Sequence, residues 1–356
     1  MEVTKKLKQM LNKFANGDKI LVTGGTGYIG SHTVIALIEA GYEVYIVDNL
    51  SNSNIEVLNG IEQITDVRPT FANIDCTDYV AMDKFFTRYE GIKAIIHFAA
   101  SKAVGESVEM PLKYYRNNVV SLVNLLELMP IHKVEGIVFS SSCTVYGQPD
   151  VLPVDEKAPI KKALSPYGNT KQICEDIIFD TVHANNSLKS IILRYFNPIG
   201  AHSSALIGEL PNGVPNNLVP FVVQTAAGLH KKIKVFGNDY NTPDGTCIRD
   251  YINVMDLAYA HVTAVRRLLD KNLEKPEVFN LGTGRGLSVM ELIKTFEDVN
   301  QVKVPYEIVG RREGDIEQVW ANPALAHKVL KWQAKATVEE TLRSAWEWQK
   351  RCSERK

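Results

Sequence analysis

Cysteine is scarce in this chain: 356 residues hold five. They are Cys76, Cys143, Cys174, Cys247 and Cys352, scattered and with no CxxC pair. That pattern fits neither a disulfide framework nor a thiolate metal centre. Excess charge is also missing. The 40 Lys and Arg against 41 Asp and Glu leave a net charge of -1, which removes nucleic acid and an anionic membrane surface as main partners. No run reaches the ~20 apolar residues of a membrane span. The N-terminal lysines Lys5, Lys6, Lys8, Lys13 and Lys19 have no apolar signal region among them, so no secretory signal is expected. Glu2 and the lack of any arginine before Arg68 disfavour a mitochondrial-type leader, and the expected location is cytoplasmic. The eight histidines show no metal-ligand spacing; no metal is expected, and His97 reads as a core residue. There is no internal repeat and no low-complexity tract.

What is present is an ordinary globular composition, 45% hydrophobic and 23% charged, with a length that suggests about two domains at ~150 residues each. Apolar runs at Ile20–Val22, Glu43–Val47, Thr70–Ile74, Ala94–Phe98, Gly136–Phe139 and Ile191–Leu193 read as strands. Tyr28–Ala40, Ile55–Thr65, Ala81–Tyr89 and Leu112–Met129 read as the helices between them. Strands alternating with helices predict a parallel sheet covered on both faces, a Rossmann-type doubly wound α/β fold. After about residue 197 the pattern becomes loop-rich and mixed. A helix over Ala258–Leu269, a strand at Val278–Gly282 and a last helix over Thr337–Lys350 complete a smaller mixed α/β part. Strands within 250–285 are candidates to rejoin the first sheet, and residues 1–17 precede the first strand as an extension.

Gly24, Gly25, Gly27 and Gly30 lie between the first strand and the first helix. Glycines there let the backbone turn tightly and approach a pyrophosphate seated on the helix N-terminus. Asp48 closes the second strand 18 residues after Gly30. A carboxylate at that place accepts ribose hydroxyls and repels the extra phosphate of NADP, so the expected cofactor is NAD.

Ser165-Pro166 reads as a helix start, which puts Tyr167 and Lys171 at i and i+4 on one face. Bringing a tyrosine from about 10 to about 7 takes roughly 4 kcal/mol in favour of phenolate. A cation at ~4 Å in an effective dielectric near 20 supplies about that much. The pair therefore makes a general base near neutral pH, although the same spacing also describes a solvated helix face. Ser140 to Thr144 follow the strand Gly136–Phe139, and Ser142 at that edge either faces the ligand crevice beside Tyr167 or forms part of a turn. Arg249 and Arg312 offer forked donors for phosphate that lysine cannot copy.

The motifs T-G-G-T-G-Y-I-G-S, S-S-S-C-T-V-Y-G, Y-G-N-T-K, R-Y-F-N-P and R-R-E-G-D occur in that order. Together they resemble the extended short-chain dehydrogenase/reductase family, in particular its UDP-hexose 4-epimerases, from about Lys19 to Gln349. The resemblance implies reversible 4-epimerisation of UDP-galactose and UDP-glucose through a transient 4-keto sugar and enzyme-bound NADH. It implies Tyr167 as base and acid, Lys171 as its electrostatic partner and a ribose ligand, and Ser142 as a hydrogen-bonding helper. Gly24, Gly27 and Gly30, with Tyr28 and Ile29 opening the helix, would hold the pyrophosphate. Asp48 and Asn49 would take the adenine ribose, and Asp75 and Cys76 would lie at the adenine. Phe98, Lys102 and Asn117 would complete the cofactor site. Asn197, Asn217, Leu218, Phe236, Arg249, Arg312 and Asp315 would grip the UDP part. Val319 would line the pocket near the sugar C2 substituent, where a small residue admits N-acetylated sugars. The implied domains are an NAD-binding half over 18–197, joined by segments within 250–285, and a UDP-sugar-binding half over 198–350. Family dehydratases carry an acidic pair where this chain has Cys143-Thr144. Homodimers are implied too; Leu122, Val123, Leu125, Leu126 and Leu128 suit either such an interface or a core helix.

Overall fold

Short apolar runs and amphipathic stretches alternate along the chain. The computed structural model describes residues 17–354 except 212, 216, 271–272, 274 and 313–314, so the expected N-terminal extension, but for Gly17, lies outside the described residues. The first half runs β1 (Lys19–Thr23), α1 (Tyr28–Glu39), β2 (Glu43–Asp48), α2 (Val57–Thr65), β3 (Thr70–Asn73), α3 (Tyr79–Arg88) and β4 (Ile92–His97). It continues through α4 (Val104–Glu109), α5 (Pro111–Ile131), β5 (Gly136–Ser142), α6 (Pro166–Ala184) and β6 (Lys189–Tyr195). The second half is finer grained: β7 (Asn197–Ile199), α7 (Leu218–Ala226), β8 (Ile233–Phe236), β9 (Ile248–Arg249), β10 (Tyr251–Asn253) and α8 (Val254–Leu268). Then come β11 (Glu277–Leu281), β12 (Leu287–Ser288), α9 (Val289–Asn300), β13 (Tyr306–Val309), β14 (Gln318–Val319), α10 (Ala324–Leu330) and α11 (Val338–Glu354).

Seven strands form one sheet in the order β11-β6-β5-β4-β1-β2-β3, and every pair in it is parallel. Alternate residues feed opposite faces. Ile20, Val22, Ile46, Ile96 and Val138 pack with α1, α2 and α8, while Leu21, Val47, Ile95, Ile137 and Phe139 pack with α3, α5 and α6. Burying both faces is what makes each strand a continuous apolar run. From β1 the chain winds outward to β3, then returns to the other side of β1 as β4. The strand ends diverge there, opening the crevice in which such sheets bind ligands. The expected Rossmann-type fold is the one observed.

Two local differences matter. Strand β5 extends through Ser142, because its backbone pairs with β6 as far as Ser142 opposite Tyr195; the serines belong to the strand end itself. On α5, Leu122, Leu125, Leu126 and Leu128 are buried in the core of their own chain, so the interface reading of that stripe does not hold and Val123 alone of the five is partly exposed. A third core gathers α7, α9, α11 and the short β8 into the smaller part, and β13 pairs with β8 at its edge. Among the described residues no helix is long and apolar enough to cross a membrane.

Candidate active site

Strand β1 delivers the chain into the glycine turn. Gly24 has φ +70, and its N–H donates to the Val47 carbonyl at 2.8 Å, so the turn is tied to β2. A Cβ on Gly24 would sit 2.8 Å from the Ala99 nitrogen, and one on Gly30 would fall on the Gly24 carbonyl oxygen. Gly27 caps α1 with no side-chain hydrogen bond, and no acidic residue stands in the first turn. The helix amides, with Tyr28 and Ile29 behind them, therefore keep their positive end free for an anion. This cradle fits the pyrophosphate of a dinucleotide.

Asp48 ends β2 only 8% exposed and accepts hydrogen bonds from Thr26 N–H (3.2 Å), Leu50 N–H (2.9 Å) and Ser53 Oγ (3.2 Å). On the neighbouring strand end, Asn49 Nδ2 donates to Asp75 Oδ2 at 3.0 Å. Burial opposes ionisation of Asp75, but the Thr77 and Asn49 donors outweigh it and hold the carboxyl below its ordinary range. Burial pushes the adjacent Cys76 thiol well up. Fixed acceptors at these strand ends suit the ribose hydroxyls and adenine of NAD. Beyond β4, Phe98 N–H bonds to the Thr23 carbonyl at 3.1 Å, and its ring lies 4.7 Å from that of His261. Asn117 Nδ2 donates to Ser101 Oγ (3.2 Å) and Asn118 Oδ1 (3.1 Å).

Ser165 starts α6, its Oγ accepting the Gly168 N–H at 3.1 Å, with Pro166 in the first turn. This cap sets the helix phase that turns Tyr167 and Lys171 toward β5. The Lys171 ammonium donates to the Ser140 carbonyl at 2.6 Å and lies 4.8 Å from the Phe139 ring centroid and 5.9 Å from that of Tyr167. Burial pulls it down to about 8, with Cys174 and Glu175 opposing. The Tyr167 phenol is pushed up to about 12 by burial, against a hydrogen bond to Ser142 that favours phenolate. Burial thus works against the phenolate that the i, i+4 spacing favours, and the Ser142 hydrogen bond works for it.

On the other side of the crevice, Arg312 Nη2 and Nε bond Asp315 Oδ1 at 2.5 and 3.2 Å. Arg249 Nη2 reaches the same oxygen at 3.9 Å, and the Arg312 guanidinium lies over Phe236 at 5.4 Å. Four of the expected substrate residues are therefore one cluster. Val319 pairs with Arg249 across β14 and β9 and is buried beside Tyr146, Phe196 and Cys143. Asn197 opens β7, its N–H on the Asp250 carbonyl at 3.0 Å. Asn217 and Leu218 begin α7. Lys102 is exposed and stands 3.7 Å from Glu209 Oε1, which also accepts from Asn217 Nδ2 at 2.9 Å. One carboxylate thus joins an expected cofactor residue to an expected substrate residue.

Several residues near the site were given no individual role by the sequence. Thr144 Oγ1 is buried with no hydrogen-bond partner, next to Ser142 and free to meet a ligand. Tyr195 bonds Ser140 Oγ through its hydroxyl, and burial and the nearby Tyr167 keep its phenol protonated. Position at a strand end was the available signal for both. Glu209 sits in a loop with no periodic signal. Among the described residues no group of His, Cys, Asp and Glu could hold a metal ion.

A glycine cradle at the switch point, an acid after β2 and a Ser-Tyr-Lys group at the strand ends define the class: an extended short-chain dehydrogenase/reductase. Residues 21–345 match the family model for GDP-mannose 4,6 dehydratase. The UDP-glucose 4-epimerase of Bacillus subtilis is 51% identical over 330 residues, 93% of this chain and 96% of that one. The solved UDP-glucose-4-epimerase of Stenotrophomonas maltophila, with bound NAD and formylated UDP-arabinopyranose, superposes with a TM-score of 0.92 at 45% identity over 95% of this chain and all of that one. The enzyme of Bifidobacterium longum in complex with NAD+ and UDP gives 0.90 at 45% identity, covering 94% of this chain and 98% of that one. The chain belongs to the UDP-glucose 4-epimerase family.

Proposed function

We propose that the protein interconverts UDP-galactose and UDP-glucose by inverting sugar C4 through a transient 4-keto sugar, with NAD as a retained cofactor. The observation that carries this is the convergence of Ser142, Tyr167 and Lys171 on one strand-end crevice, between the glycine cradle and the Arg249–Asp315–Arg312 cluster. NAD, when bound, supplies reversible redox chemistry at C4 and a positive ring that favours phenolate. Tyr167 Oη takes the 4-hydroxyl proton and returns it to the other epimer, while Ser142 Oγ bonds the same oxygen. Lys171 stabilises the phenolate and bonds ribose hydroxyls. Gly24, Gly27, Tyr28, Ile29 and Gly30 hold the pyrophosphate, and Asp48, Asn49, Asp75 and Cys76 hold the adenosine. Phe98, Lys102 and Asn117 complete the cofactor side. Asn197, Asn217, Leu218, Phe236, Arg249, Arg312 and Asp315 anchor the UDP, so the keto sugar can turn without escaping.

This division assigns NAD to residues 18–197 with segments within 250–285, and the UDP-sugar to 198–350. Elimination of water, the dehydratase alternative, lacks an acidic pair: Cys143 and Thr144 stand there. Valine at 319 leaves room for a C2 substituent, which supports activity on UDP-N-acetylhexosamines as well. A homodimer is part of the reading, and Val104, Val108, Met110 and Leu112, on α4 and the start of α5, are exposed apolar residues that suit it. Five cysteines without a pairing pattern suit the reducing cytoplasm. Purified protein mixed with UDP-galactose and no added NAD should form UDP-glucose; absence of product both without and with NAD would overturn the proposal.

A further inference from the structure

A buried ion pair lies beneath the crevice, and none of the steps above uses it. Glu175 and Arg194 have side chains 4% and 5% exposed. Arg194 grips the carboxylate through both Nη2 and Nε, the latter at 2.9 Å, and its Nη1 donates to the Tyr146 hydroxyl at 3.0 Å. Ser141 Oγ donates to the same Glu175 oxygen, Oε1, at 2.5 Å. Each partner stands one step from a residue of the site. Glu175 is four residues after Lys171 on α6, and Arg194 precedes Tyr195 on β6. Ser141 lies between Ser140, whose carbonyl takes the Lys171 ammonium, and Ser142, which bonds Tyr167.

We propose that the Glu175–Arg194 pair, with Ser141, is a positioning device for the reaction. It fixes the ends of β5 and β6 against α6 so that Ser142, Tyr167 and Lys171 meet in one geometry. The inference rests on the reading of Tyr167 as the acid–base group. A buried ion pair is poor evidence of a role in stability, because apolar residues of like volume often hold a fold as well. What the guanidinium fork adds is direction and distance, since it accepts one orientation of the carboxylate. Side chains alternate along a strand, so holding Ser141 on the α6 face also fixes the two flanking serines, of which Ser140 bonds the Tyr195 hydroxyl. The Glu175 carboxylate in addition opposes the loss of the Lys171 proton that burial favours.

Ser141→Ala removes one donor and leaves the forked pair intact. It should lower kcat about tenfold through loosened alignment, with KM for UDP-galactose, bound NAD and melting temperature all near the parent's. The double variant Glu175→Leu with Arg194→Met replaces the pair by apolar bulk and should lower kcat about a hundredfold at similar KM. If that variant does not fold, Ser141→Ala decides alone. A kcat for Ser141→Ala within twofold of the parent, or a loss that merely follows its melting temperature, would overturn the inference. Tyr167→Phe measured alongside separates the two ideas: if it remains active, the underlying reading fails, and if it is inactive while Ser141→Ala keeps a kcat within twofold of the parent's, only the positioning role fails.

Discussion

At the scale of the residue, the proposed chemistry depends on a balance of opposed effects at Tyr167. Burial raises the phenol to about 12 while the Ser142 hydrogen bond lowers it. Removing that bond by Ser142→Ala lets the phenol rise further, so the acid limb of the kcat–pH profile should move to higher pH. At pH 7 kcat should fall by about 10- to 100-fold, the lower range of general acid–base effects; an unmoved limb would assign Ser142 another role. Val319 is the residue to test for breadth. It is buried against Phe196, Tyr146 and Cys143, and the larger side chain of Val319→Tyr has to displace these neighbours or enter the proposed sugar pocket. That should depress turnover of UDP-N-acetylgalactosamine selectively over UDP-galactose, and equal losses on both substrates would contradict a gate.

At the scale of the element, α6 shows why its start matters. The Ser165 cap holds the Gly168 N–H at 3.1 Å and thereby sets where Tyr167 points. Ser165→Ala should cost about 1 kcal/mol of stability, the usual loss for such a cap, read as a lower denaturant midpoint at unchanged slope. Elements of this kind were largely legible in the sequence. Apolar runs marked the strands because both sheet faces are covered, and Ser165-Pro166 marked the helix because capping chemistry is local. The glycine turn was legible for the same reason. What was not legible came from distant parts of the chain meeting. The ion pair of Glu175 with Arg194 joins a helix to a strand, and Glu209 links Lys102 to Asn217 across long loops. The leucines of α5 could be read two ways until they were seen buried in one core with residues of β4, β5 and α6.

At the scale of the whole molecule, the two faces of the sheet bury three histidines in neutral form. Burial brings His32 and His97 to about 3 and His261 to about 4. The unfolded chain protonates such groups near 6.5, whereas the folded one does not, so the unfolded state binds more protons below that pH. Stability should therefore be at its fullest above about pH 6.5 and fall as the pH drops toward 4, each histidine contributing a slope of about 1.4 kcal/mol per pH unit. Denaturant unfolding at pH 7 and pH 5 checks this; equal free energies would contradict it. The near-zero net charge of -1 gives no signal of an anionic ligand; in the proposed reading recognition falls to the arginines and helix amides at one crevice.

The account stands most directly on Tyr167 as the group that moves the 4-hydroxyl proton. The decisive measurement is UDP-glucose formation from UDP-galactose by Tyr167→Phe, with bound NAD quantified in the same preparation. The account predicts a folded protein with normal NAD content and kcat lowered by about 100- to 10,000-fold. Turnover equal to the parent's would contradict it.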